Sequence, residues 1–260
     1  MKEVVTDMNI IVLAKLVPDL VEELTIDASG AALDLTFARW IISEFDDHAI
    51  EQGILLKERS GGAVTVVVPD LEGADDVLFT AAAKGADRLI KVKGDFSGVN
   101  NHALARAFAA VVKELQAGLI LTGVQAHNDL DGSIGPLLAE CLEMPYVGYI
   151  SGVSINDGKS LIRKEYPGGL LAEMEVTNPS VLGIQAAEQP PRYVAVSKVR
   201  QAMKTSSIDE QDASNLDASG GPALGRMFQP EAATHATMIT GNPDEVAAKL
   251  VDLFKELGVL

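Results

Sequence analysis

Short runs of apolar residues alternate with amphipathic stretches over the first 142 residues of the chain. The apolar runs predict strands buried on both faces, at residues 9–14, 63–68, 88–92 and 119–122. Apolar residues at helical spacing predict helices between and after these strands, which end near Gly61, Gly85, Gln116 and Leu142. This alternation predicts right-handed β-α-β units and a doubly wound, mostly parallel α/β sheet.

The pattern changes after Leu142. Residues 146–155 and 160–166 flank Asn156-Asp157-Gly158, which predicts a β-hairpin with an Asp-Gly turn. Residues 170–176 and 180–184 predict further strands, and we expect them to extend the sheet, partly in antiparallel fashion. A shorter hairpin is predicted earlier in the chain, with residues 24–26 and 32–34 on either side of a turn at 27–30.

The C-terminal part of the chain is more polar. Residues 206–225 are Gly-rich and lack periodicity, which predicts a linker or an arm laid over another surface. Asn242-Pro243-Asp244-Glu245 predicts a helix start. The helix carries one apolar stripe, formed by Val246, Leu250, Phe254 and Leu257, which must be covered by this chain's own core or by a second subunit. We therefore predict an α/β domain over residues 1–193 and an arm over 194–260.

Composition narrows the possible functions. The net charge of −16 argues against a nucleic-acid binder, which needs a basic face. A single cysteine excludes an internal disulfide, and the four scattered histidines lack ligand spacing, so no metal site is expected. No apolar run is long enough to span a membrane and no signal segment is present, so we expect a soluble, cytoplasmic protein.

A basic segment interrupts this acidic chain. No acidic residue occurs between Gln189 and Ile208, while four cationic residues do: Arg192, Lys198, Arg200 and Lys204. Either this is a solvated helix face or it is a docking surface for an acidic partner.

The stretch from Leu119 to Pro136 is the strongest candidate for a binding site. A strand ends at Gly123, a polar loop follows from Gln125 to Asp131, and Gly132-Ser133 opens a helix. Free backbone N–H groups and the positive end of the helix dipole would form a cradle for an anion. The carboxyl end of a strand in an open α/β sheet is where nucleotides bind. The alternative is an ordinary strand-to-helix connection.

The sequence lacks the common dinucleotide-binding, phosphate-binding and hydrolase motifs. There is no G-x-G-x-x-G after the first strand, no phosphate-binding P-loop and no G-x-S-x-G elbow. Ser43 to Asp46 resembles a capping box, so Asp46 and its neighbour Asp47 are expected to stabilise a helix start. Asp129 and Asp131 are expected to order their loop. The pattern predicts a binding protein rather than a stand-alone enzyme.

Several segments in the same order resemble the β (small) subunit of electron transfer flavoproteins. Residues 14–19 (A-K-L-V-P-D) are similar to the family's V-K-x-V-x-D loop, and residues 43–58 to its N-P-F-D-E-x-A-x-E helix. Residues 82–88 match A-x-x-x-G-A-D-R, and residues 123–135 resemble the G-x-Q-A-x-D-D-D-x-x-Q-x-G loop. Three further segments resemble the same family: Gly168-Gly169-Leu170, Pro190-Pro191-Arg192-Tyr193 and Ala248-Lys249-Leu250.

The resemblance implies a Rossmann-like α/β subunit that pairs with an α subunit carrying FAD. The β subunit of the family holds AMP, or a second FAD in electron-bifurcating members that use NADH. The implied cofactor-binding residues are Leu13, Ala14, Lys15, Ser43, Phe45, Asp46, Val68, Pro69, Gly123, Val124, Gln125, Ala126, Asp129, Asp131, Gly132, Ser133 and Ile134. The sequence departs from the family pattern at two places in this implied site: Ser43-Glu44 replaces Asn-Pro, and residues 128–133 replace D-D-D-x-x-Q. The resemblance therefore does not decide whether the site would hold AMP or FAD.

Residues 185–204 resemble the family's recognition loop, which docks onto a dehydrogenase. The docking residues carried over are Glu188, Pro190, Arg192 and Tyr193, and Glu188 stands where the resemblance places an anchoring leucine. Because a carboxylate fills an apolar pocket poorly, we expect a dehydrogenase or quinone-linked oxidoreductase other than the usual acyl-CoA dehydrogenases.

Two hypotheses of other classes remain. One is a nucleotide-binding regulatory module of the universal-stress type, which would need a G-x-x-G together with a distant G-[ST] after one strand, a combination not found in the sequence. The other is a structural partner subunit with an empty pocket.

Overall fold

Nine strands form the main sheet of the computed structural model, which describes residues 8–96, 98–130, 132–213, 216–222, 224–230 and 236–260. The strands in chain order are β1 (Asn9–Leu13), β2 (Leu16–Pro18), β3 (Thr25–Ile26), β4 (Leu33–Asp34), β5 (Trp40–Ile42), β6 (Ala63–Pro69), β7 (Arg88–Lys93), β8 (Leu119–Gly123), β9 (Tyr146–Asn156), β10 (Lys159–Tyr166), β11 (Leu170–Thr177), β12 (Val181–Ile184) and β13 (Ile208–Asp212). The helices are α1 (Glu44–Ser60), α2 (Ala74–Lys84), α3 (Asn101–Leu115), α4 (Ile134–Leu142), α5 (Val196–Thr205) and α6 (Pro243–Glu256).

The main sheet has the order β11-β10-β9-β12-β8-β1-β6-β7-β13. Seven strands run parallel to one another, in the sheet order β9-β12-β8-β1-β6-β7-β13. Strands β10 and β11 extend this sheet beyond β9 in antiparallel fashion. The Rossmann-like, doubly wound and mostly parallel α/β sheet predicted from the sequence is therefore confirmed, including its antiparallel hairpin.

Helices cover both faces of the sheet. Ile10 and Val12 of β1 pack on the face covered by α1 and α2, whereas Ile11 and Leu13 pack on the face covered by α3 and α4. Phe108 of α3 is fully buried in the second cluster. Burying one such side chain contributes about 2–3 kcal/mol. The two layers hold the carboxyl ends of the central strands in a fixed arrangement.

Register brings the ends of three central strands to one level. Leu13 of β1 pairs with Val67 of β6 on one side and with Thr122 of β8 on the other. The loops that leave these strands therefore start beside one another, at the edge where open α/β sheets bind ligands.

Three strands were missing from the sequence prediction. Residues 16–18, expected in a loop, form β2 and pair with the equally unexpected β5. Within the predicted linker at 206–225, residues 208–212 form β13, which pairs in parallel with β7 at the sheet edge. The polar sequence of β13 shows no alternation of apolar and polar residues, because an edge strand is held by backbone hydrogen bonds and none of its five residues is fully buried.

The predicted capping box at α1 is wrong. Ser43 occupies the N-cap, but its side chain makes no capping hydrogen bond. Asp46, the expected N3 residue of the box, instead accepts hydrogen bonds from the backbone N–H groups of Lys15 and Gly123. At α6 the expected start is confirmed, because Asn242 and Glu245 form a complete capping box.

The apolar stripe of α6 is uncovered in the described structure. No residue of the helix is buried, and Phe254 and Leu257 are 40% and 66% exposed. Within the described ranges, no helix or strand packs closely against α6. None of the described helices is both long and apolar enough to cross a membrane.

Candidate functional site

The carboxylate of Asp46 joins the ends of two strands to the start of a helix. One oxygen accepts a hydrogen bond from the backbone N–H of Lys15 at 2.9 Å, and the other accepts from the N–H of Gly123 at 2.6 Å. Lys15 follows β1 and Gly123 ends β8, while Asp46 lies in the first turn of α1. Three segments that the sequence places far apart are thus fixed at one point.

Only glycine fits at position 123. A Cβ atom there would lie 2.6 Å from Oδ1 of Asp46 and 2.8 Å from the backbone nitrogen of Asp46. The close approach of β8 to α1 thus depends on the missing side chain. The glycine that was predicted to end the strand also makes the junction possible.

Burial raises the pKa of Asp46 from its usual value of 3.8 to about 6. The side chain is almost completely inaccessible, which disfavours the charged form. The hydrogen bonds from Lys15 and Gly123 act in the opposite direction but are outweighed.

Lys15 reaches from the end of β1 into the loop after β8. Its Nζ forms an ion pair with Asp129 at 2.5 Å and donates to the side-chain oxygen of Asn101 at 2.9 Å. The side chains of Lys15 and Asp129 are only 9% and 7% exposed. A further hydrogen bond, 3.3 Å long, joins Nζ to Asn128. Asp129 also accepts from the N–H of Ala126, so it orders the loop as expected.

Asn101 completes this network and was not predicted from the sequence. Its amide nitrogen donates to Asp129 at 2.8 Å and to the carbonyl of Gly132 at 2.7 Å. The residue is the first of α3, so a helix on the other side of the loop holds the loop in place. The preceding residue, Asn100, caps α3, since its side-chain oxygen accepts a hydrogen bond from the backbone N–H of Ala103.

The N-terminus of α4 faces the same junction with unused hydrogen-bonding groups. Ser133 is the N-cap residue and makes no side-chain capping bond, and the first N–H groups of the helix have no intrahelical partner. Beside them lies the hydroxyl of Thr122, which is fully buried and has no hydrogen-bond partner among the described residues. A Cβ atom on Gly135 would lie 2.9 Å from this hydroxyl oxygen.

A cavity of about 490 Å³ opens next to Lys15. Its polar wall comprises Lys15, Asn100, Asn101 and Asn128. Most of its other lining is apolar: Leu16, Pro18, Ala31, Ala32, Leu33, Leu35, Trp40, Pro69, Leu71, Phe96, Val99, Leu104, Leu130, Pro222, Leu224 and Met227. Ligand pockets of small molecules have this size and this combination of apolar walls with a few polar groups.

The structure brings most of the predicted cofactor-binding residues together. Leu13, Ala14, Ser43 and Val68 are buried at the strand ends around the junction, with Val124, Ala126 and Ile134 buried behind the loop. Phe45 is partly buried beside Asp46, Pro69 lines the cavity, and Gly132 is exposed on the loop. Gln125 is exposed. Asp131 lies outside the described residues.

A second cavity, of about 540 Å³, lies between α1 and α2. Trp40 lines both cavities, and the ion pair between Lys84 and Asp47 forms part of the second wall. None of the predicted cofactor-binding residues lines this cavity. The described residues also contain no cluster of metal-ligating side chains.

The predicted docking loop is fastened to α1. Arg192 forms an ion pair with the buried Glu51 at 2.9 Å and another with Glu58 at 2.6 Å. Glu188 is paired with Arg59 at 2.7 Å, so its carboxylate lies on the helix. Tyr193, by contrast, is 89% exposed, and Pro190 is exposed beside it. The loop therefore presents Tyr193 outward, while Arg192 and Glu188 hold its backbone.

Comparison with known proteins places this arrangement in a family. The model of the electron transfer flavoprotein domain matches residues 35–216. The chain is 31% identical to the electron transfer flavoprotein subunit beta of Methylophilus methylotrophus, over 96% of this chain and 98% of that protein.

Two further relatives have similar coverage. The chain is 29% identical to the corresponding subunit of Bacillus subtilis, over 95% of this chain and 98% of that protein. It is also 29% identical to the caffeyl-CoA reductase-Etf complex subunit CarD of Acetobacterium woodii, over 97% of this chain and all of that protein. The chain therefore belongs to the family of electron transfer flavoprotein β subunits.

Proposed function

We propose that this β subunit holds an adenine nucleotide at the junction of β1, β8 and α4. The observation that carries the proposal is the unpaired hydroxyl of Thr122 beside the free N–H groups of the α4 N-terminus. A buried hydroxyl without a partner is costly, and a bound phosphate oxygen would accept its hydrogen bond. The neighbouring cavity offers apolar walls for a planar ring.

The residues present fit a phosphate group at the helix start and a ring in the cavity. The N–H groups of Ile134 and Gly135 point out of the first turn of α4, and the helix dipole favours an anion there. The charge of Lys15 is already balanced by Asp129. The phosphate would therefore be held mainly by backbone N–H groups and Thr122, while Asn101 and Asn128 would face the sugar and base.

AMP is the nucleotide that we propose for this site. The cavity is bounded by residues of the β3–β4 hairpin and by Pro222, Leu224 and Met227, which suits a ligand of limited length. A second FAD in place of AMP is the alternative, favoured by the Val17-Pro18-Asp19 sequence after β1. That alternative would make the protein a bifurcating type, whose flavin would supply the electron-splitting chemistry.

We further propose that the chain acts as an electron carrier only when it is paired with an α subunit that carries FAD. The uncovered stripe of α6 supports this pairing, because Phe254 and Leu257 lack a surface in the described structure. The exposed Tyr193 and the basic helix α5 support docking onto an oxidoreductase with an acidic surface.

Identification of the nucleotides released on denaturation tests these proposals. The chain is purified together with its co-expressed partner subunit, denatured, and the supernatant is separated by chromatography with absorbance detection. One AMP and one FAD per heterodimer would support the ordinary carrier, and two FAD the bifurcating alternative. A preparation without any adenine nucleotide in the β site would contradict both.

A further inference from the structure

Part of the C-terminal arm lines the cavity beside Lys15. Residues 216–222 and 224–227, here called the strap, contribute Pro222, Leu224 and Met227 to the cavity lining. They share this cavity with the polar side chains of Lys15 and Asn101. The strap is therefore a wall of the cavity, although it is distant in sequence from the rest of the site.

On one side the strap is fastened to α3 by Arg106. The guanidinium group donates to the carbonyl of Asp217 at 2.6 Å and also to the carbonyl of Ser219. It lies 3.3 Å from the carboxylate of Asp217. Asn100 adds a fourth contact, since its side-chain nitrogen donates to the carbonyl of Gly220 at 2.8 Å. Arg106 of α3 and Asn100, the N-cap residue of this helix, thus hold residues 217–220 of the strap.

On the other side the strap is fastened to the turn between β3 and β4. The backbone N–H of Met227 donates to the carbonyl of Gly30 at 2.7 Å. Gly30 adopts a positive φ of 71°, and a Cβ atom there would meet nothing within 4 Å. The described parts of the strap are consequently anchored to α3 at residues 217–220 and to the hairpin at Met227.

Apart from Leu216, which is partly buried against the second hydrophobic cluster, the strap is tied by polar contacts. Residues 217–222 and 224–226 are exposed, apart from their contacts with the cavity and with Arg106. Segments with few buried apolar groups open at low free-energy cost compared with the core of a domain. Breaking the contacts of one arginine would therefore release the strap and leave the sheet intact.

We propose that the strap closes the cavity over the bound nucleotide and that Arg106 is the positioning residue that keeps it closed. The inference rests on the proposed nucleotide site and adds a control on ligand exchange, because the ring could leave only after the strap has detached. Arg106 lies on α3, away from the free N–H groups of α4. It therefore acts through the strap.

Two measurements on the full chain, purified with its partner subunit, test the inference. The first is the dissociation rate of AMP from the wild type, from Arg106→Met and from the control Lys113→Met, an exposed cation on the same helix. The second is the rate of tryptic cleavage after Arg226, followed by mass spectrometry against cleavage after Lys255. Cleavage at this bond requires that Met227 leaves Gly30.

We expect Arg106→Met to release AMP about tenfold faster than the wild type and Lys113→Met, since several charge-assisted contacts are lost. Saturating AMP should slow cleavage after Arg226 in the wild type and much less in Arg106→Met. Equal rates of AMP dissociation from the wild type and Arg106→Met, or cleavage after Arg226 that bound AMP does not slow, would overturn the inference about the strap. The proposed nucleotide site would be unaffected by either result. If neither the wild type nor either variant binds AMP, FAD or another adenine nucleotide, the proposed function and the inference about the strap are both overturned.

Discussion

The carboxylate of Asp46 and the backbone N–H of Gly123 lie 2.6 Å apart, with no room for a side chain between them. This contact locks the start of α1 against the end of β8. Together with the bond from Lys15 it sets the spacing of the loops that surround the candidate nucleotide site. The site is therefore organised by a buried acid that has no direct need to touch a ligand.

Replacing Gly123 by alanine should destabilise the fold. The added Cβ would overlap both the side chain and the backbone of Asp46, and overpacking of this kind costs about 1–3 kcal/mol or more. Chemical denaturation measures the loss. Gly225→Ala is the control, because no atom lies within 4 Å of a Cβ at that position. Equal stability of both variants would show that the junction is not closely packed.

Replacing Asp46 by asparagine should also destabilise the junction. An amide has one acceptor oxygen, so one of the two N–H groups of Lys15 and Gly123 would lose its partner, at a cost of about 1–3 kcal/mol. Unfolding by urea at neutral pH measures this cost. A variant as stable as the wild type would mean that the two bonds contribute nothing net.

The same variant should change the pH dependence of stability. Because burial raises the pKa of Asp46 from 3.8 to about 6, the folded state keeps this proton where the unfolded chain has lost it. The stabilisation linked to this group is complete below 3.8 and is lost as the pH rises through about 6. The cost of Asp46→Asn should therefore decrease between pH 4 and pH 7. A cost that grows with pH over this range would contradict the raised pKa.

Replacing Lys15 by methionine should leave Asp129 as an uncompensated buried charge. Removing one partner of such a pair costs about 3–5 kcal/mol, and the loop after β8 should lose protection against hydrogen exchange. Lys159→Met removes an ion pair whose partners are 50% and 64% exposed, so it serves as the control and should leave stability nearly unchanged. Similar effects of the two variants would argue against a buried pair at Lys15.

Removing the apolar stripe of α6 should impair subunit pairing rather than folding. Phe254→Ser with Leu257→Ser should abolish co-purification with the α subunit and leave the thermal midpoint of the lone chain almost unchanged, because neither side chain is buried. Asp252→Ser, on the same helix, is the control. Resistance of the arm to proteolysis in the lone chain would contradict this account.

Reversing charges on α5 should weaken docking of an acidic partner. Lys198→Glu with Arg200→Glu should slow association with the oxidoreductase about tenfold at low salt and reduce its salt dependence. Lys113→Glu, on α3, changes the net charge without touching α5. If the control slows association as much as the α5 variant, the effect reflects total charge and not a docking surface.

Periodicity predicted the central fold because its elements carry long, unambiguous patterns. The strands β1, β6 and β8 are continuous apolar runs, and α3 has an apolar face with polar residues opposite. The short pair β2–β5 and the polar edge strand β13 escaped prediction, because three to five residues held by backbone bonds leave no pattern in the sequence.

The site was predictable where it follows a strand and not where it depends on distant contacts. Lys15, Gly123 and Asp129 stand in recognisable loops and do meet in space. Asn101 is 86 residues from Lys15 in the chain, and nothing in its local sequence indicates their hydrogen bond. Asp46 matched a capping pattern, but tertiary contacts with Lys15 and Gly123 took precedence over the local one.

The nucleotide retained by two variants of Ile134 tests the central claim most directly. Ile134→Pro removes the N–H group proposed to bind phosphate, and proline is tolerated at this first helical position after the extended Ser133. Ile134→Val retains the N–H and controls for lost packing. We predict that the wild type and Ile134→Val retain one adenine nucleotide per β site, while Ile134→Pro binds it roughly ten- to a hundredfold more weakly. Equal retention by all three proteins would contradict a phosphate site at the N-terminus of α4.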